Sequence, residues 1–463
     1  MSYHNEVDRS SRYSGPEPQT LPLPPELVMR TLRYLDRVRD KKNARLVCKG
    51  FAAAGLYSLT STVCFSNSLI WIWRTFDNVP HFSCSTRDIA MHPVVSKYII
   101  KMVCEGSRIP SSYLAYRTSF DWWATVGKHG KPRSTQEIYS VYSSSDDQEK
   151  FTIGKGADRE VVRTALENFV NLKCIVFTDI APNERSRDFP RPPWPADAPV
   201  GDPWGPSSPY HSFAVCIRLL SDMRIKLREL SIEGSQDGIS HSVFSRISTQ
   251  DSCHLLNVFA NLRKLSVNVN THFDTWLLDF AGLGRFLTQA TLLQSLDLKC
   301  SRGERQTRLS LSQVFKTATW PYLKHFGLHG FVMSTNMDLI AFFDRHRATI
   351  DSVAFKSIFL HEKDFNSRDH SPCEAWKHLF TELRKRSIKF QNLELFRIHD
   401  CCNWGGECPD LADRADRGEK ILQYLRHGGP NPLTVETVSE VNETSETDEA
   451  IDVSDTSEAS ESE

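Results

Sequence analysis

The segment HDCCNWGGEC gathers the side chains best suited to holding a metal ion, which are His399, Cys401, Cys402 and Cys408. Zinc takes four nitrogen or sulfur ligands in proteins, usually from cysteines in C-x-x-C-like pairs. Cys401 and Cys402 are adjacent instead, so their side chains point in different directions. Cys401 also follows Ile398 by three residues, where the repeat described below places a turn residue that bonds the loop backbone. We therefore favour a structural role for Cys401 and expect no metal or cofactor.

The sequence lacks the usual signatures of catalysis. It contains no G-x-x-x-x-G-K-[ST] loop, no G-x-G-x-x-G after a strand, no H-E-x-x-H and no G-x-S-x-G. Its sixteen histidines do not group at ligand spacing. We expect a protein that acts through its surfaces, and we predict that it is not an enzyme.

A repeated apolar frame organises most of the chain. In NLRKLSVNVNTH, the residues Leu262, Leu265, Val267 and Asn270 fit the leucine-rich pattern L-x-x-L-x-L-x-x-N. The middle copies follow one another at 27 to 35 residues. The apolar frame recurs at Leu172-Ile175-Phe177, Leu227-Leu230-Ile232, Leu293-Leu296-Leu298, Leu323-Phe326-Leu328, Ile350-Val353-Phe355 and Leu393-Phe396-Ile398, with a degenerate copy at Ile99-Met102-Cys104.

Helical patterns precede the frames, for example at 159–170 and 374–386, and a further helix at 415–427 would cap the stack. One strand and one helix per repeat place parallel strands on one wall and helices on the other. The predicted fold class is therefore α/β, with a leucine-rich-repeat-like solenoid of parallel strands over 151–430. A proline-rich insertion at 189–209 interrupts it.

Side chains between the apolar positions should line the concave wall, because successive side chains of a strand alternate between its two faces. The curvature of solenoids makes such a wall a usual binding surface. We predict that it binds a target protein through Glu229, Ser231, Lys264, Ser266, Asn268, Asp297, Lys299, His325, His329, Lys356, Arg397 and His399.

Charge and hydropathy restrict the class of protein. The net charge is −1, and removing the eleven acidic residues from 435 onward leaves the rest of the chain near +10. That balance is too dilute to predict a nucleic-acid partner. The most apolar short run, 68–73, is far below the roughly 20 residues that span a bilayer. Neither a membrane association nor a secretory signal is expected, so we predict a cytoplasmic or nuclear protein.

The termini differ in composition from the rest of the chain. Residues 1–20 are polar, and the acidic tail at 431–463 is rich in serine and threonine, so both are predicted to be disordered. Residues 21–60 carry three short helical patterns. The aromatic-rich stretch 61–150 is predicted to be a linker that contains the degenerate first repeat.

The helical segment resembles a known family. LPPEL at 23–27, followed by RLVCKGF at 45–51, is similar to the F-box, whose pattern is an L-P-x-E-L helix followed by an L-V-C/S-K/R-x-F helix. The order of the modules resembles that of F-box proteins of filamentous fungi. The likeness covers about 40 residues, and it departs from the family at Asp40-Lys41-Lys42, where an apolar residue is common.

The resemblance implies a substrate adaptor of an SCF-type cullin–RING ubiquitin ligase. F-box proteins bind a Skp-family linker and through it a cullin, and repeats behind the F-box capture a target. The residues that would form the module and contact the linker are Leu23, Pro24, Leu27, Leu32, Leu35, Leu46, Val47 and Phe51. The alternative is a protein-interaction scaffold that uses the F-box and repeats outside a ligase.

Overall fold

The computed structural model describes fifteen segments of the chain. They are residues 61–66, 86–105, 151, 153–178, 210–233, 239–240, 242–270, 281–300, 308–309, 311–315, 318–333, 335–360, 374–396, 399–400 and 417–433. The predicted three-helix segment, the proline-rich insertion and the chain from 434 onward lie outside them.

The structure is α/β and is built on one parallel sheet. Nine strands lie side by side in chain order, in a solenoid-like arrangement that confirms the predicted α/β class with parallel strands. Strands are numbered in chain order through both sheets. The nine are β1 (Thr62–Ser66), β2 (Lys101–Glu105), β3 (Cys174–Thr178), β4 (Glu229–Glu233), β6 (Lys264–Asn270), β7 (Ser295–Cys300), β9 (His325–His329), β11 (Ser352–Lys356) and β13 (Asn392–Phe396).

The sheet begins earlier than the predicted repeat domain. Its second strand, β2, belongs to the degenerate frame at Ile99, and its first strand, β1, was not predicted. Both pair in parallel with the strands that follow. The stretch called a linker therefore contributes two strands to the main sheet.

Helices follow one another along the sheet, and each contacts a neighbouring helix. The helices at 157–168, 374–385 and 417–427 lie where the periodicity predicts them. The full set is α1 (Thr86–Met91), α2 (Ala157–Asn168), α3 (His211–Asp222), α4 (Ser242–Ser245), α5 (Thr249–Phe259), α6 (Ala281–Leu287), α7 (Leu311–Phe315), α8 (Asn336–Arg345), α9 (Glu374–Lys385) and α10 (Arg417–His427), with a 3-10 turn at Val95–Tyr98. The short α4 contacts α6, and α3 contacts α5.

Neighbouring strands pair without any stagger, so equivalent positions form five rows across the sheet. Lys264, for example, lies opposite Glu229 on one side and Ser295 on the other. The second and fourth positions carry the apolar frame residues, such as Leu265 and Val267, which are fully buried. These two rows form the core with the helices, because burial of apolar area is the main favourable contribution to folding.

Aromatic side chains fill the core between β9 and α8. The ring centroids of Phe326 and Phe342 are 4.4 Å apart, and Phe342 also lies 6.2 Å from Trp320. The Trp320 side chain is fully buried, and its Nε1–H donates to the carbonyl of Leu287 at 3.1 Å. Its backbone N–H donates to Nε2 of the buried His346 at 3.1 Å.

A second, smaller parallel sheet is formed by short strands that follow the strands of the main sheet; after β9 and β11 a tight turn separates the two. It consists of β8 (Arg308–Leu309), β10 (Val332–Met333), β12 (Phe359–Leu360) and β14 (His399–Asp400), while β5 (Ile239–Ser240) pairs with β6. The turn after β9 uses Gly330 at φ 77°, and the equivalent turn after β11 uses Ser357 at φ 52°. A Cβ on Gly330 would lie 2.3 Å from the carbonyl oxygen of Cys300, so glycine is required there.

Candidate functional site

The candidate site lies on the side of the sheet that faces away from the helices. We call the first, third and fifth rows of strand positions the polar face. Its side chains alternate with the buried frame residues along each strand. The structure places Glu229, Ser231, Lys264, Asp297, Lys299, His325, His329 and Lys356 on this face, as their sequence positions predict.

A hydrogen-bonded group of three side chains crosses β7, β9 and β11. His325 Nε2 lies 3.1 Å from Asp297 Oδ1, and His325 Nδ1 lies 3.1 Å from Ser352 Oγ. With Nε2 donating to the carboxylate, Nδ1 accepts the Ser352 hydroxyl proton, and all three groups are satisfied. The imidazole is thereby held from both sides.

Gly327 makes this group possible, because it occupies the third row between Asp297 and Ala354. A Cβ at Gly327 would lie 2.1 Å from Asp297 Oδ1 and 3.3 Å from His329 Nε2. The missing side chain lets the Asp297 carboxylate extend over β9 and approach His325 and His329 together. His329 Nε2 is 3.9 Å from the same oxygen.

Two lysines flank the group in the fifth row, Lys299 on β7 and Lys356 on β11, with His329 between them on β9. Lys356 Nζ contacts Glu394 Oε1 of β13 at 2.5 Å. Acidic and basic side chains therefore lie close to one another from β7 to β13. A surface of this kind selects a partner with a matching charge pattern more than it raises affinity.

The electrostatic environment fixes two protonation states near neutral pH. Burial alone would raise the pKa of the Asp297 carboxyl, but the hydrogen bond from His325, helped by the nearby Lys299, lowers it below its ordinary value. Burial, with a further contribution from Lys299, lowers the pKa of His329 to about 4. At pH 7 Asp297 is thus ionised and His329 is neutral.

The order of hydroxyl, imidazole and carboxylate is the one that hydrolases use to activate a serine. That chemistry also requires N–H donors aimed at the developing oxyanion. The N–H of Ser352 instead donates to the carbonyl of Lys324 at 2.9 Å, as part of the sheet. The backbone N–H of Ser352 itself is therefore not free to bind an oxyanion beside its hydroxyl.

The polar face is less developed on β3 to β6. Ser231 Oγ donates to Glu233 Oε1 at 2.8 Å on the same strand, and Glu229 and Lys264 are exposed. Burial, followed by the charge of Glu229, raises the pKa of the Cys174 thiol to about 11, so the thiol is protonated at neutral pH. This part of the face offers single polar groups instead of a connected set.

Two predicted contact residues are less accessible than expected. Ser266 and Asn268 lie on the polar face of β6, but each is only 8% exposed. Neighbouring strands stand about 4.8 Å apart, so a short side chain in the middle of the sheet is covered by longer neighbours. They can contribute little contact area to a partner.

The last repeat frame was placed three residues too late. Leu393 pairs with Val353 and Leu395 with Phe355, so the frame in β13 is Phe390-Leu393-Leu395. His399 lies on β14 of the second sheet, and the prediction that it continues the polar face is wrong. Arg397 lies outside the described residues. The turn position predicted for Cys401 was counted from the same misplaced frame, so that prediction loses its basis.

The corrected frame adds residues that the sequence reasoning missed. Glu394 occupies the third row and contacts Lys356, while Phe396 ends the fifth row with its side chain 52% exposed. The sequence alone did not separate the two frames, because Phe396 and Ile398 are as apolar as Leu393 and Leu395. The helix-to-strand spacing of the other repeats would have favoured the earlier frame.

Several other predicted site residues lie outside the described segments. All eight residues assigned to the linker contact, from Leu23 to Phe51, lie outside the described segments, as do Cys401, Cys402 and Cys408. Within the described segments no group of three or more His, Cys, Asp or Glu side chains could hold a metal ion. Among those same segments, no helix has the length and apolar character needed to cross a bilayer.

No family model and no curated protein matches the chain. A functional proposal therefore depends on the geometry above and on the resemblance of residues 21–60.

Proposed function

We propose that this protein is a substrate adaptor of an SCF-type cullin–RING ubiquitin ligase. In this proposal residues 21–60 are an F-box that binds a Skp-family linker and through it a cullin, and the sheet domain is leucine-rich-repeat-like and captures a target protein. The protein carries out no reaction itself and works in the cytoplasm or nucleus. It raises the effective concentration of the target at the ubiquitin-loading machinery.

The observation that carries the target-binding half is the polar face of β7 to β11. Asp297, His325 and Ser352 are fixed by hydrogen bonds to one another, so they lose little freedom when a partner binds. The flanking lysines and Glu394 add a charge pattern. A rigid, partly exposed polar surface on a repeat scaffold is typical of protein recognition.

Co-purification of the full chain with a Skp-family linker tests the ligase half. We expect Leu27→Asp and Val47→Asp to abolish the complex, because a buried carboxylate disrupts a small helical module. The conservative changes Leu27→Met and Val47→Ile are the matched controls and should preserve it. If the intact protein binds no such linker, the ligase proposal is wrong.

The same experiment addresses the second candidate, an F-box and repeat scaffold that acts outside a ligase. The departure from the family pattern at Asp40-Lys41-Lys42 favours it. A chain that recruits a linker but no cullin, or that binds a linker only after these residues are made apolar, would support the scaffold.

A further inference from the structure

A row of cations lies along the edge of the main sheet where the strands begin. Lys173, Arg228, Arg263 and Lys324 each precede the first residue of a strand, and all four side chains are exposed. We call these four residues the basic edge. It is distinct from the polar face, whose rows start one residue later.

Backbone hydrogen bonds align the basic edge as a regular series. The N–H of Arg228 donates to the carbonyl of Lys173 at 3.0 Å, and that of Arg263 donates to the carbonyl of Arg228 at 2.7 Å. Gln294 and Lys324 continue the series on β7 and β9. Asp351 and Gln391 follow on β11 and β13, so the basic part of the row ends at Lys324. Adjacent strands are separated by about 4.8 Å, so Lys173, Arg263 and Lys324 recur at about 9.6 Å, every second strand.

Structural roles do not account for these cations. They lie four to nine residues beyond the ends of the preceding helices, so helix dipoles do not explain them. Within the described segments none of the four forms an ion pair, whereas Arg386 and Lys385 contact Asp344 and Glu382. A regular row of unneutralised cations matches a linear polyanion.

The chain itself contains a polyanion with a matching repeat. Within the acidic tail, eight acidic residues stand at every third position, namely Glu440, Glu443, Glu446, Glu449, Asp452, Asp455, Glu458 and Glu461. A polyproline II helix has three residues per turn and a rise of about 3.1 Å. In that conformation the eight carboxylates form one row spaced at about 9.3 Å, close to two strand separations.

The tail starts within reach of the basic edge. Arg426, at the end of α10, donates to the carbonyls of Phe390 and Gln391, which precede β13 at the same edge. Gln391 is two strands from Lys324, about 10 Å away. The seven residues 434–440 can span up to about 24 Å, which covers that distance and the short run of 431–433 along α9.

We propose that the acidic tail binds the basic edge of its own sheet, with every third carboxylate opposite every second strand. Because the acidic row is longer than the basic edge, the tail can shift by three residues and keep the same contacts. A bound tail runs beside the first row of the polar face, at Glu229 and Lys264, and competes there with any acidic partner. Tethering makes the contact intramolecular and gives a high effective concentration.

Carbodiimide crosslinking of the full chain tests this proposal, because it joins a lysine amine directly to a carboxylate in contact with it. Lys173 and Lys324 should crosslink to residues 440–461. Arg228→Glu with Arg263→Glu keeps both reporter lysines, and should lower their crosslink yields roughly tenfold. Lys155→Glu with Arg159→Glu makes the same charge change beside α2 and should leave the yields unchanged. Equal melting temperatures of the two variants exclude misfolding.

Two further arms test the spacing and the source of the anion. A full chain whose tail is shuffled, with the same composition but no three-residue period, should crosslink less at Lys173 and Lys324 than the natural chain. Salt at roughly 1 M should suppress the contact, since the Debye length falls to about 3 Å. Equal crosslink yields in the edge variant and its control would overturn the proposal, as would crosslinks spread evenly over all lysines. The ligand of the basic edge would then be an external polyanion.

Discussion

The two faces of the main sheet use the same strands in opposite ways. On the helix side, rows two and four bury aliphatic and aromatic residues, and the ring of Phe342 contacts those of Phe326 and Trp320. On the other side, Asp297, His325 and Ser352 are ordered by hydrogen bonds. The helix side supplies the stability that allows the polar side to hold partly buried charges. One face therefore sets stability, and we propose that the other sets recognition.

Truncation in the aromatic core should have the largest effect. We expect Phe342→Ala to lower the free energy of unfolding by about 3–5 kcal/mol, because it removes ring contacts and leaves a cavity. Tyr322→Ala, whose side chain is 53% exposed, should change it by less than about 0.5 kcal/mol. Urea denaturation measures both. Similar losses for the two variants would contradict the packing described for the helix side.

The turn that joins the two sheets should be the next most sensitive point. Gly330 and Gly156 both have positive φ, but a Cβ meets the Cys300 carbonyl at Gly330 and nothing within 4 Å at Gly156. Gly156→Ala should cost about 1–2 kcal/mol from backbone strain alone. Gly330→Ala should cost clearly more, because its Cβ also clashes with backbone. Equal losses in thermal unfolding would show that the turn can adjust.

A smaller effect should appear in the pH dependence of stability. The pKa of His329 is about 4 in the folded protein and the ordinary value is 6.5, so the unfolded chain takes up the proton first. The stability that neutral His329 contributes is complete above pH 6.5 and is lost as the pH falls toward 4. His329→Gln should reduce the fall in unfolding free energy across that window.

Titration of the histidine by NMR checks the same point directly. A His329 ring that titrates near its ordinary value of 6.5 would contradict the burial of this ring between Lys299 and Lys356. His346, whose pKa is also lowered by burial, lies on the helix side and contributes in the same direction. The variant should therefore remove part of the pH dependence and leave the rest.

Much of the fold could be predicted because it follows from spacing within single repeats. The frames at Leu172 through Ile350 placed the strands and their two faces correctly, and the helix patterns placed α2, α9 and α10. The error at Leu393 came from a stretch where two frames are equally apolar. Pairing with β11 decides between them, and pairing is not visible in a short segment.

The sequence predicted which residues lie on the polar face, but it did not predict the contacts among them. Alternation assigned Asp297, His325 and His329 to one face, yet their contact depends on Gly327 lying between them in the third row. A glycine can occur in a strand for several reasons. Only the register of β7, β9 and β11 shows that Gly327 leaves room for the Asp297 carboxylate. The burial of Ser266 and Asn268 likewise depends on neighbours from other strands.

The most direct test of the central claim is proximity labelling by the full chain in cells. Lys264→Glu with Lys356→Glu alters the polar face, and Leu27→Asp alters the proposed F-box. We predict that the first variant loses a set of labelled proteins that Leu27→Asp retains, and that Leu27→Asp loses only the linker and cullin. Identical labelling by the wild type and the polar-face variant, with equal melting temperatures, would contradict a target-binding role for this face.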